Sequence, residues 1–420
     1  MEEWKEYRIG DVCDTISDTY RGNAENVILI NTSDVLEGKC LNHIKVPNKD
    51  LKGQFKKTFR KDDILYSEIR PANKRYAYID FDATDYIAST KLMVIRHNER
   101  ILPQYLFYIL KSQAVLDELQ MLAESRSGTF PQITFSEVAN MEIKLPPIEQ
   151  QRRILGVLKS LDDKIELNRR INENLEQQAQ ALFKSWFVDF EPFKDRPFVE
   201  SELGMIPQGW RAGRYEEIID STISGDWGKE KNKGNYTHKV ACIRGCDFQD
   251  IKNGLRGKTP ERYILEKNYQ TKHFKDKDIL VEISGGTATV STGRVCPVSQ
   301  LLIDKYNKDI VCTNFCRLVR PKALYGAYLY YSWLYKYNNK VMFGYENGTS
   351  GIKNFRIKDF ISLEPVIIPS EEILIRFQTY IDQLQIKLQM NGSEIQKLAE
   401  LRDTLLPRLM SGELKVNDVI

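Results

Sequence analysis

The chain has 420 residues, a formal net charge of +3, and 42% hydrophobic and 28% charged residues. That length exceeds one ordinary domain of ~100–200 residues, and the mild positive balance permits a nucleic-acid partner without demanding one. Seven cysteines without a disulfide-framework spacing, no secretory progression after Met1, and no apolar run near the ~20 residues of a spanning helix exclude the secreted and membrane classes and point to the cytoplasm.

Residues 1–148 read as a first globule of mixed strands and helices. It opens on Trp4 to Arg8 and continues through Thr15-Ile-Ser17, the strand-like run Phe59 to Leu65 and the apolar run Ile87 to Arg96. Basic residues gather in its loops: Arg21, Lys56, Lys57, Arg70, Lys74 and Arg75 are candidates for phosphate and base contacts. A second loop, Ser125 to Thr134, is rich in Gly, Ser and Thr and carries Gln132. Small residues let backbone approach a ligand closely while the amide supplies the contact.

Residues 149–192 follow as a long helix. Ile154, Leu158, Leu161, Ile165, Asn168, Asn172, Leu175, Ala179, Leu182 and Trp186 recur at alternating spacings of four and three, the 3.5-residue period of a coiled coil. A linker is expected over 193–209, a second globule over 210–371, a second long helix over 372–412 and a short tail over 413–420.

The second half repeats the first. Trp210 to Arg214 answers Trp4 to Arg8, Phe274 to Leu280 answers Phe59 to Leu65, and Val311 to Arg320 answers Ile87 to Arg96. Gly348-Thr349, Phe355 and Val366-x-Ile368-Pro369 answer Gly128-Thr129, Phe135 and Ile143-x-Leu145-Pro146. The second helical seam then carries Phe377, Ile381, Leu384, Leu388, Asn391, Ile395, Leu398, Arg402, Leu405 and Leu409. Between these anchors the loops diverge, as expected of one scaffold bearing two recognition surfaces. In the second copy the loop candidates are Lys229, Lys231, Lys233, Arg244 and Arg294, with Lys353 and Asn354 in the loop Glu346 to Asn354.

The fold expected is α+β: two similar mixed domains in tandem, separated by two long helices in an antiparallel coiled coil. Asn168 and Asn391 lie at the midpoints of helices over about 150–186 and 373–409. Antiparallel pairing with aligned ends sets these two asparagines against each other as the register device.

Catalytic chemistry is missing. There is no Asn/Asp-Pro-Pro-aromatic motif or Gly-rich cofactor turn of an adenine methyltransferase, and Gly257-Lys258-Thr259 lacks the first glycine of a phosphate loop, position 252 being lysine. Cys242-x3-Cys246 and Cys312-x3-Cys316 have a thiolate-like spacing, but the strand setting of the second pair favours core thiols, so no metal is expected.

The run Leu145-Pro-Pro-Ile-Glu-Gln-Gln151, the helix ending Phe183-Lys-Ser-Trp-Phe187, the start Gly204-Met-Ile-Pro-Gln-Gly-Trp210 and the ending Leu405-Leu-Pro-Arg-Leu-Met-Ser-Gly-Glu-Leu414 together resemble the specificity subunits of Type I restriction-modification systems. The second helix departs from the pattern, opening on Ile367-Ile-Pro-Ser-Glu-Glu-Ile373 instead of the Pro-Pro wording. The resemblance implies a non-catalytic subunit with two target recognition domains, each reading one half of a split double-stranded DNA site. It also implies two methyltransferase subunits supplying S-adenosylmethionine chemistry and two motor-nuclease subunits using ATP and magnesium, none of these cofactors held by this chain. A free-standing duplicated DNA-binding regulator with a coiled-coil spacer is the alternative, and it lacks a recognisable helix-turn-helix reading head.

Overall fold

Strict alternation of side chains builds the central strands. In Leu92–His97, Met93 and Ile95 enter one core with Ile64 and Tyr66, while Leu92 and Val94 enter another with Leu65 and Ala88. A strand buried on both faces reads as a continuous apolar run, which is why the sequence shows no polar alternation there. The computed structural model describes residues 4–49, 51, 53–125, 131–287, 289–306, 308–348 and 352–418. Residues 126–130 and 349–351, parts of the two expected Gly/Ser/Thr loops, lie outside the described residues.

The chain divides into two compact units, Met1–Asp163 with Ala399–Ile420, and Lys164–Leu398. In the first, an antiparallel sheet runs in the order Cys13–Ile16, Leu92–His97, Ile64–Ser67, Tyr76–Tyr78. A second sheet runs Lys45–Pro47, Asn26–Ile30, Tyr86–Ser89, Phe55–Lys57, with Asn26–Ile30 and Tyr86–Ser89 parallel. Lys5–Arg8 pairs with Glu142–Leu145, so the first strand is tied to the last just before the long helix.

The second unit repeats this plan. Its antiparallel sheet runs Ile219–Ser224, Cys316–Pro321, Ile279–Glu282, Val295–Pro297, and its other sheet Glu261–Leu265, Tyr236–Ile243, Asp309–Cys312 again contains one parallel pair, Tyr236–Ile243 with Asp309–Cys312. Arg211–Arg214 pairs with Pro365–Ile368 as Lys5–Arg8 does with Glu142–Leu145. A counterpart of Phe55–Lys57 is missing among the described residues.

Each unit also repeats one buried ion pair. Arg96 donates from Nε and Nη2 to Asp63 at 2.7 and 2.7 Å, and Arg320 donates likewise to Asp278 at 2.9 and 2.8 Å. The backbone N–H groups of Arg60 and Lys275 add a bond of 2.8 Å to the respective carboxylate. A buried carboxylate is tolerable only when its lone pairs are filled in this way. The endings Asp63-Ile64-Leu65 and Asp278-Ile279-Leu280 of the two repeated runs are therefore structural anchors.

Two details differ from the sequence expectation. Ile133 N donates to Glu68 O at 2.9 Å where Phe355 N donates to Ile283 O at 2.8 Å, so Phe355 corresponds to Ile133 and not to Phe135. Phe135 instead opens the helix Phe135–Asn140, as Ile357 opens Ile357–Leu363. The stretch 193–209, expected as a linker, contains the hairpin Phe198–Ser201 with Gly204–Pro207, and Phe193 and Ile206 are buried in the core of the second unit.

The long helices are Ile148–Phe187 and Glu371–Met410, each of 40 residues and so ~60 Å long. Within the first unit Arg402 donates to Asp162 at 2.7 Å, and Leu158, Leu405 and Leu409 share one core. Within the second, Asn168 meets Glu394, Asn172 meets Asn391, and Trp186 and Phe187 pack on Phe377, with ring centroids 6.1 and 4.9 Å from its ring. Partner numbers fall as residue numbers rise, which is antiparallel packing.

The expected Asn168–Asn391 pairing is corrected. Asn391 Nδ2 donates to Asn172 Oδ1 at 2.9 Å, and Asn168 Nδ2 donates to Glu394 Oε2 at 2.8 Å. The helices are offset by about one turn from midpoint alignment. The offset has two visible anchors. One is the aromatic cluster of Phe183, Trp186 and Phe187 around Phe377; the other is a backbone contact in which a Cβ on Gly392 would lie 2.2 Å from Gly254 O. Gly254 itself has φ +76°, a conformation that favours glycine. Asn172 also donates to Asn253 O at 3.0 Å and Leu388 O at 3.1 Å, and Lys305 Nζ donates to Gly254 O at 2.6 Å and Gln389 O at 2.9 Å. The turn around Gly254 is thereby fastened to both helices, by polar contacts as well as backbone packing.

Candidate nucleic-acid interface

In the first unit a row of backbone bonds joins loops that are far apart in sequence. Tyr20 N donates to Lys56 O at 2.8 Å, Thr90 N to Gln54 O at 2.7 Å, Glu68 N to Lys91 O at 3.1 Å, and Arg70 N to Pro131 O at 3.1 Å. Ile69 and Gln132 face each other in an isolated bridge. The result is one edge on which Arg21 and Lys56 are neighbours and Arg70 and Gln132 are neighbours, Arg21, Lys56 and Arg70 being exposed.

Arg70 and Lys74 hold left-handed backbone, φ +46° and +53°, on either side of the turn Pro71–Asn73. Such conformations cost a non-glycine residue on the order of 1 kcal/mol and persist where surrounding bonds enforce them. Here Gln120 Oε1 accepts from Ala72 N at 3.0 Å, and Lys74 O accepts from Glu37 N at 2.9 Å. Two expected contacts turn inward instead. Lys57 Nζ donates to Leu92 O at 2.8 Å, and burial holds its pKa below the usual lysine value. Arg75 Nη1 donates to Ser33 O at 3.0 Å and Val35 O at 3.4 Å.

In the second unit Lys229, Lys231 and Lys233 are exposed. Lys229 is tied to Tyr263 by reciprocal backbone bonds of 2.8 Å, and its ammonium lies 5.4 Å from the centre of the Tyr236 ring. Gly228, φ +59°, makes this close pairing possible, since a Cβ there would lie 2.3 Å from Tyr263 O. Arg244 and Arg294 are committed within the domain. Arg244 is bonded to Asp247 at 3.1 Å through both Nε and Nη2 and to Lys258 O at 2.8 Å, while Arg294 is bonded to Glu282 at 2.7 Å through two nitrogens and to Gly245 O at 3.2 Å. Lys353 pairs with Glu346 at 2.8 Å, leaving Asn354 as the exposed polar group on that strand.

Asn354 lies in a small sheet of Ser284–Gly285, Lys353–Phe355 and Glu346–Asn347. Its first strand leads into the segment 284–293, where Gly285, Gly286 and Gly293 all have positive φ. Sequence reasoning passed over this segment, although its wording Ser-Gly-Gly-Thr-Ala-Thr-Val-Ser-Thr-Gly carries the small-residue signal noted in the other two loops.

No group of three or more His, Cys, Asp or Glu able to hold a metal occurs among the described residues. Cys242, Cys312 and Cys316 are buried, and burial pushes the Cys242 and Cys312 thiols up to about 12, so they are neutral core side chains. No helix among the described residues is long and apolar enough to cross a membrane.

Comparison with known proteins bears on this geometry. Residues 1–177 match the family described as Type I restriction modification DNA specificity domain. The specificity subunit of the Type I restriction enzyme HindI from Haemophilus influenzae is 35% identical, the match covering 99% of this chain and all of that one. The chain belongs to the specificity subunits of Type I restriction-modification systems. Another relative, the MjaIX specificity subunit of Methanocaldococcus jannaschii, is 29% identical over 76% of this chain and 71% of its own. Among solved structures, the Type I S subunit from M. genitalium shares the fold at a TM-score of 0.50 and 16% identity, covering 97% of this chain and 96% of that one. In this specificity subunit one face of the second helix leaves Ile375, Ile386 and Met390 exposed, eleven and four residues apart and so in line.

Proposed function

We propose that this subunit reads a bipartite double-stranded DNA target, one half-site through each β-rich domain, while the two long helices set the spacer and carry the partner subunits. The observation that carries this reading is the repetition of the four-stranded sheet, the parallel strand pair and the buried Arg–Asp pair in two scaffolds whose edge side chains differ. The proposed DNA contacts are the exposed Arg21, Lys56 and Arg70 with the half-buried Gln132 in one domain, and the exposed Lys229, Lys231, Lys233 and Asn354 in the other. Lysines and arginines on such loops would supply salt-sensitive phosphate contacts, and Gln132 and Asn354 would supply base-edge readout. Lys57, Arg75, Arg244, Arg294 and Lys353, with donors already engaged inside their domains, act in this reading as supports for the edge.

Catalysis belongs to the partners. Two methyltransferase subunits bring S-adenosylmethionine, two motor-nuclease subunits bring ATP and magnesium, and the assembly works in the cytoplasm. The exposed line Ile375, Ile386, Met390 supports helix docking by such partners, because a solvent-facing apolar row on a long helix is costly unless covered. A free-standing regulator finds no support in this chain's family membership.

Methyl transfer from labelled S-adenosylmethionine to a plasmid of broad sequence tests the division of labour. The purified chain alone is expected to give none, and addition of methyltransferase subunits is expected to give transfer at a split motif. Transfer by the chain without partners would refute the reading.

A further inference from the structure

The two domains expose opposite chemistry at one equivalent position of the edge. Glu68 N donates to Lys91 O at 3.1 Å in the first, and Ile283 N donates to Phe315 O at 2.9 Å in the second. Both acceptors lie just before the strands Leu92–His97 and Cys316–Pro321, which occupy the same place in the two sheets. In the first domain the Lys91 side chain is 50% exposed and pairs loosely with Glu68 at 3.8 Å. In the second Phe315 is 61% exposed.

The turn that presents this ring is rigid. Phe315 N donates to Thr313 Oγ1 at 3.0 Å, Cys316 N to Thr313 O at 2.9 Å, and Thr313 N to Ile243 O at 2.9 Å. Gly225 passes so near that a Cβ on it would lie 2.0 Å from Thr313 O. The fixed turn therefore holds the phenyl ring outward on the edge, where it can meet a ligand without reordering. Next to the bonded Ile283, Ser284 pairs with the exposed Asn354. An exposed apolar ring thus stands beside a strand pair that carries a hydroxyl and an amide.

In the major groove of DNA the thymine C5-methyl is the apolar group on offer, and apolar side chains are its readers. We propose that Phe315 is a base-reading residue that takes the C5-methyl of a thymine in the second domain's half-site. Lys91 at the equivalent place in the first domain meets DNA by charge instead. This inference rests on the proposed edge facing DNA.

The test uses the subunit assembled with its methyltransferase partners and the motif found by methylation sequencing. Each thymine of the second half-site is replaced singly by uracil, which removes the methyl and keeps the pairing. At one position the natural subunit is expected to bind roughly fourfold more weakly, the worth of one buried methyl group. Phe315→Ala is expected to lose the same factor and to bind thymine and uracil alike there, while Phe315→Leu recovers part of the thymine preference. Equal binding of thymine and uracil at every position would overturn the proposal. So would a Phe315→Ala variant that loses affinity yet still prefers thymine, the signature of a ring wedged between base steps. A Lys229→Ala, Lys231→Ala double variant separates the two levels of the argument. If it weakens binding to all sequences while uracil has no effect, the edge faces DNA and only the methyl reading fails; if it and Phe315→Ala both bind as before, the edge does not face DNA and both readings fall.

Discussion

Adding one heptad to each long helix, between Asp163 and Lys164 and between Leu398 and Ala399, is expected to lengthen the unspecified spacer of the methylated motif by about three base pairs. Seven residues add about 10 Å of helix, and DNA rises ~3.4 Å per base pair. The two insertion points are opposite each other, next to the Asp162–Arg402 bond of 2.7 Å, and a whole heptad preserves the buried seam on both sides. Three base pairs also turn one half-site by roughly 100° around the duplex, at ~10.5 base pairs per turn, so the lengthened subunit is expected to work less well than the natural one. Both half-sites stay as they were. An active variant that keeps the original spacer would show that the helices do not measure it.

The second large effect lies in the seam. Asn172 satisfies three groups at once, accepting from Asn391 Nδ2 at 2.9 Å and donating to Asn253 O and Leu388 O at 3.0 and 3.1 Å. Asn172→Leu leaves the Asn391 amide and the Asn253 carbonyl without these partners in a buried site, at a cost of roughly 2–4 kcal/mol for two orphaned groups. Asn391→Leu removes one bond and is expected to cost roughly 1–2 kcal/mol. The double change should be less costly than the sum by ~1 kcal/mol, whereas Asn168→Leu and Asn391→Leu should add within ~0.5 kcal/mol because Asn168 bonds to Glu394. Opening free energies from hydrogen exchange over residues 164–187 compare the natural protein with these five variants. Coupling between 168 and 391 instead of 172 and 391 would put the helices in midpoint register.

Much of this fold is legible in the sequence because its signals are periodic or duplicated. The seam of Ile154, Leu158, Ile165, Ile381, Leu388 and Ile395 is buried where the 3.5-residue period puts it, and the twin Asp-Ile-Leu runs are the strands that carry Asp63 and Asp278 into their ion pairs. The one-turn offset of the helices is illegible because it is fixed by contacts between distant residues: Gly254 against Gly392, and Phe377 among Phe183, Trp186 and Phe187. A period gives the face of a helix and not its axial position.

The edge residues divide in the same way. Arg21, Lys56, Arg70 and the lysines 229, 231 and 233 are exposed, as loop composition suggests, but composition could not separate them from Arg244, Arg294 and Lys353. Those three differ only in having Asp247, Glu282 and Glu346 within reach, and two of these partners lie seven or more residues away in the chain. Phe315 escaped notice for the opposite reason. A phenylalanine in an apolar run is read as core, and only the sharp turn at Thr313 puts it outside.

Replacement of residues 20–140 by the equivalent segment of a related specificity subunit, followed by methylation sequencing of cells that carry the hybrid with its partners, tests the central claim most directly. One scaffold used twice with two independent reading edges predicts a motif in which one half-site changes, while the other half-site and the spacer length persist. A motif altered in both halves, or in neither, would contradict it.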